Sequence, residues 1–160
     1  MWRTELFHPL IVHLPVATLL LSSAAGLYRY IAKGSDLQFW DKFIFILLAV
    51  GVITGWIGIY TGQLAYNIEV RKICDPKVLQ QHQFWSYASV IIYSVILVFK
   101  LLKKYIPVFK NRIINILVII LLIAGAVTMG YAGHLGASVV YEQGAGVNKP
   151  APDCSDYQAD

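Results

Sequence analysis

Charge is scarce in this sequence and unevenly placed. Only 14% of the residues are charged, against about a quarter in an ordinary soluble domain. Four long stretches contain no Asp, Glu, Lys or Arg at all. Carboxylates inside those stretches would be needed for a proton relay, so transport of that kind is excluded, and no inverted repeat of broken helices accompanies them. No nucleophile, base and acid stand together as a hydrolase requires, and no glycine-rich nucleotide loop is present. With 2 cysteines in 160 residues, the chain is no disulfide scaffold. The polar stretches are too short for a separate soluble domain.

Apolar residues fill the space: 58% of the chain is hydrophobic. They fall in four runs, about 9–28, 43–62, 82–99 and 113–141. Each has the length that crosses a hydrocarbon core of about 30 Å as a helix, and none alternates with period two as a strand would. The sequence therefore predicts an all-α integral membrane four-helix bundle. It spans residues 1–147, with a polar C-terminal tail over 148–160, and lipid is its first partner. The first run lacks a signal-peptide layout: Arg3 and Glu5 are the only charges before it, His13 and Pro15 interrupt it, and no small-residue cleavage site follows.

The net charge of +4 and pI of about 9.1 do not indicate nucleic acid, because the basic residues flank the runs. Eight Lys and Arg lie in the first and third connections, and five in the second connection and the tails. The positive-inside rule then puts both termini outside. In a Gram-negative bacterium that makes a multi-pass protein of the inner membrane with periplasmic ends. Cys74 and Cys154 both fall on that outer side, where a disulfide between them would persist.

The ionisable residues left near membrane depth are histidines, and such residues are functional candidates. His8 precedes the first span, and His13 lies about four residues, roughly 6 Å, inside it. His82 opens the third span, and His134 lies roughly 32 Å along the fourth, back at the outer interface. Three helices thus deliver four histidines to one leaflet. Pro15 removes a backbone hydrogen bond and is expected to bend the first helix so as to aim His13 at the bundle axis. Gly51, Gly55, Gly58 and Gly62 make a bare stripe on the second span. Gly125, Gly130, Gly133 and Gly136 thin the fourth around His134. Both patterns suit close helix packing or room for a flat cofactor.

Three readings follow. The first is haem b, one or two, held by paired histidines as the cofactor of an electron-transfer subunit. His13 and His134 are the expected axial pair, with His82 and His8 available for a second haem or for propionates. Arg3, Arg71 and Lys72 are further propionate contacts. The second is a copper or zinc site built from His13, His134 and His82. The third is a cofactor-free accessory subunit of a larger membrane complex, whose histidines hydrogen-bond across the bundle and whose aromatics form interfacial belts.

The segment FHPLIVHLP, Phe7 to Pro15, resembles the HPxxVHFP opening of a family of small bacterial membrane proteins, a domain of unknown function. The likeness extends to His82 and to the ending GHLGASVVYEQGAGV, Gly133 to Val147. Members of that family resemble membrane cytochromes in layout and are often joined to, or encoded near, c-type cytochrome modules. The resemblance implies a respiratory setting and membrane or periplasmic cytochrome partners. A histidine that many members carry near Gln143 is absent here, which implies fewer cofactors if that position is a ligand.

Overall fold

The computed structural model describes residues 4–31, 36–107 and 111–147. A 3-10 turn, Thr4–Leu6, leads into α1, Phe7–Ile31, followed by α2, Leu37–Glu69, α3, Pro76–Tyr105, and α4, Arg112–Tyr141. No strand occurs among the described residues. The helices run up, down, up and down, with α1 tight against α2 and α3 tight against α4. Contacts of α2 with α3 and of α4 with α1 close the ring. All four are long and apolar enough to cross a membrane. Their outward faces carry exposed Leu, Ile, Val and Phe, such as Leu10, Ile53, Ile91 and Val127, as lipid contact requires.

The helices overrun the apolar runs, α2 most of all. It begins before Phe43 and continues past Gly62 to Glu69, because a helix need not stop where the hydrocarbon stops. Helices α3 and α4 are started by capping. Asp75 accepts from the Lys77 amide at 2.9 Å with Pro76 in the first turn, and Asn111 accepts from the Ile114 amide at 2.8 Å.

The bundle contains an internal repeat. Shifting the chain by the interval that separates His8 from His82 lays α1 and α2 on α3 and α4. Leu19 then falls on Tyr93, Leu48 on Leu122, Gly51 on Gly125, Thr54 on Thr128 and Gly62 on Gly136. The packing repeats with it. A Cβ on Gly51 would meet Leu19, and one on Gly125 would meet Tyr93. Leu19, Tyr93 and Leu48 are fully buried, and Leu122 nearly so. Thr54 and Thr128 both donate back into their own helix, to the carbonyls of Gly51 and Gly125. The two hairpins run in the same direction, so they form a parallel repeat about an axis along the membrane normal. The core at the axis is stitched by Tyr93, whose hydroxyl lies 2.8 Å from Ser23 Oγ, while Ser23 also reaches the Leu122 carbonyl at 3.2 Å.

Candidate functional site

The site lies at the end of the bundle where α1 and α3 begin and α2 and α4 finish. Each odd-numbered helix turns one stripe to the axis: His8, Val12, Pro15, Leu19 and Ser22 on α1, and His82, Ser86, Ser89, Tyr93 and Ile96 on α3. The spacing of four, three, four and three residues is one helical face. Each stripe brings a histidine to its outer end.

The two histidines are held in the same way. His8 Nδ1 lies 3.0 Å from the Gly58 carbonyl oxygen on α2, and His82 Nδ1 lies 2.8 Å from the Ala132 carbonyl oxygen on α4. A carbonyl only accepts, so Nδ1 carries the hydrogen in both rings, and in the neutral imidazole Nε2 keeps its lone pair. One turn beyond each acceptor stands a glycine. A Cβ on Gly62 would lie 2.9 Å from His8 Cε1, and one on Gly136 would lie 3.0 Å from His82 Cε1. The ring centroids are 6.1 Å apart with planes at 74°. Around the pair is a cavity of about 400 Å³, in the range that holds small molecules and cofactors. Its walls are mostly apolar, including Val12, Val90, Met129 and Val139, with Gln63, Gln83 and Glu69 as polar points.

The rim is closed by a second pair of equivalent residues, Glu69 and Gln143. Glu69 is buried at the end of α2. One of its oxygens accepts from the Gly146 amide at 3.1 Å and the other from Lys72 Nζ at 2.9 Å. Gln143 Oε1 accepts from the Asp75 amide at 3.0 Å. Each hairpin thus ends in a side chain that caps the chain following the other hairpin. Gly144 and Gly146, at φ of 70° and 72°, turn that chain in the left-handed region open to glycine. Across the cavity, Gln83 Nε2 donates to Gln63 Oε1 at 2.7 Å, joining α3 to α2.

The structure redistributes the residues that the sequence nominated. His8 and His82 come together. His13 and His134 are exposed, and His134 lies beside Tyr131, with centroids 6.5 Å apart. Pro15 does not aim His13 inward, since α1 is continuous and Pro15 is itself buried. Two residues are about 200° around a helix, so burying Pro15 turns His13 outward. Met129 is buried on the cavity wall. Among the described residues, no group of three or more His, Cys, Asp or Glu is placed to hold a metal ion. The three-histidine copper or zinc set therefore does not assemble. Arg71 is exposed and Lys72 is engaged with Glu69, while Arg3 lies outside the described residues. No disulfide forms among the described residues: Cys74 is an exposed free thiol, and Cys154 and the tail lie outside them.

The glycine stripes divide as well. Gly62, Gly125 and Gly136 face side chains at contact distance, whereas Gly130 and Gly133 have nothing within 4 Å of a built Cβ. Within α4 the signal that separates them is the repeat, which pairs Gly125 with Gly51 and Gly136 with Gly62 but gives Gly130 and Gly133 no glycine partner.

The family model described as "Predicted membrane protein (DUF2231)" matches residues 5–149. No curated protein and no solved structure matches the chain. The match takes in nearly the whole sequence, and the chain belongs to that family of predicted membrane proteins.

Proposed function

We propose, taking membership of that membrane family as the premise, that this protein is a b-type haem subunit of a membrane electron-transfer chain, with His8 and His82 as the axial ligands. One observation carries the reading: two imidazoles, one from each hairpin, each have Nδ1–H directed at a backbone carbonyl and Nε2 left with its lone pair, 6.1 Å apart between centroids. A histidine that ligates a metal usually gives its other nitrogen to such an acceptor. Rings at that spacing would leave room for one metal ion held by both, given metal–nitrogen bonds of about 2 Å. Two ligands are what haem iron takes from the protein, whereas zinc and copper sites draw three or four. Gly62 and Gly136 keep clear the space beside each ring, and the apolar walls suit a porphyrin.

Bound there, haem supplies a one-electron couple whose potential depends on ligation and burial. The chain's own part is to fix ring orientation, exclude water and meet a cofactor edge with the polar rim. The electron partners are other membrane or periplasmic cytochromes, and the site faces the periplasm in the orientation set by the cation bias. The test is the optical spectrum of protein purified after expression with adequate haem supply, oxidised and then dithionite-reduced. A Soret band with sharp α and β bands on reduction is the expected result.

The second reading is an accessory subunit without cofactor. It is favoured by the same hydrogen bonds to Gly58 and Ala132, which also tie α1 to α2 and α3 to α4. A colourless preparation made with haem supplied would leave that reading.

A further inference from the structure

At the opposite end of the bundle lies a second cavity, of about 890 Å³, lined by Arg29, Lys42, Lys100 and Lys103 together with Asp41 and Asn115. The repeat shows why its charge is unbalanced. In the first hairpin Arg29 Nη2 donates to Asp41 Oδ2 at 3.1 Å, and in the second the equivalent Lys103 Nζ donates to Asn115 Oδ1 at 2.9 Å. Arg29 falls on Lys103 and Asp41 on Asn115, so the second copy keeps the cation and replaces the carboxylate with a neutral amide. The one carboxylate is also shared with Lys100, at 3.8 Å. Lys100 is near enough to both Arg29 and Lys103 to feel their charge. Arg29 Nε is buried with no hydrogen-bond acceptor among the described residues. The cavity opens beside Phe45 and Ile46, which are exposed on the apolar face.

We propose that this cavity binds a phosphate oxyanion, supplied by the headgroup of an anionic phospholipid. Four cations line the cavity with one carboxylate, an imbalance that an added negative charge would relieve. An arginine with an unpaired N–H fits a phosphate, since its fork bonds oxyanions in pairs. Basic pockets between membrane helices take such headgroups. Phe45 and Ile46 give the acyl chains a path into the bilayer. The site needs no haem at the other end of the bundle, so it stands or falls separately.

The experiment is native mass spectrometry of the full chain in neutral detergent. The protein is titrated separately with a short-chain phosphatidylglycerol, with phosphatidylcholine of the same chains, and with inorganic phosphate. Phosphatidylglycerol should give a saturable adduct that phosphatidylcholine does not. Lys103→Gln, an exposed substitution, should weaken it roughly fivefold, the effect of one cation near a membrane surface. Asp41→Asn removes the counter-ion and should tighten it. Arg71→Gln, an exposed cation at the other end, should change nothing. Inorganic phosphate bound with the same dependence on Lys103 supports the site and makes its source soluble. Equal binding of the two lipids with no phosphate binding overturns the proposal, as does an equal effect of Lys103→Gln and Arg71→Gln.

Discussion

His8 and His82 meet edge to face with ring centroids 6.1 Å apart, and they hold the same position in the two halves of a repeated hairpin. That equivalence makes the pair more than a chance approach of two rings. Each half supplies the whole unit: an imidazole on its first helix, a carbonyl acceptor on its second 50 residues on, and a glycine one turn further.

The glycines give the first prediction. Gly125→Ala drives a Cβ to 2.9 Å from Tyr93 Cζ, and Tyr93 is fully buried. Overpacking of this kind costs about 1–3 kcal/mol. Gly130→Ala and Gly133→Ala meet nothing within 4 Å and gain helix propensity, about 0.5–1 kcal/mol. Denaturation in detergent, followed by circular dichroism, should lower the midpoint for the first and keep or raise it for the other two.

Rim closure gives the second. Glu69→Ala removes the hydrogen bond between the Glu69 carboxylate and the Gly146 amide, worth about 0.5–1.5 kcal/mol. Hydrogen exchange over residues 142–147 should speed up while the Tyr93 region keeps its protection. Unchanged exchange there would mean that the clasp contributes nothing.

Orientation gives the third. Eight cations against five put both tails outside, so a reporter active only in the cytoplasm, fused after Asp160, should be silent. A bright signal would place the histidine end at the inner leaflet.

The four spans were legible because hydrocarbon thickness sets their length, and the depth of each histidine followed from residue count. Rotation about the helix was not legible. In a soluble helix the polar face shows which way the core lies, but here lipid and core are both apolar, and hydrophobic periodicity carries little. His13 therefore ranked above His8 by depth, although Pro15, buried two residues later, turns it outward. The second half of the answer lay in the repeat. His8 and His82, Gly62 and Gly136, and Gly51 and Gly125 share one interval, but Leu19 against Tyr93 and Glu69 against Gln143 share little composition, so the likeness is carried by position and packing. A search for inverted repeats passes over two hairpins that run the same way.

Reduced-minus-oxidised spectra of four alanine variants, purified and reconstituted in lipid, separate the two pairs of histidines. His8→Ala and His82→Ala should each abolish the haem bands, since each removes one of the two imidazoles proposed to hold the iron. His13→Ala and His134→Ala, both at exposed positions, should leave the bands at wild-type height. Insertion should persist in all four, because the spans satisfy their own backbone. Bands lost in His13→Ala or His134→Ala but kept in His8→Ala and His82→Ala would rule out His8 and His82 as the haem ligands.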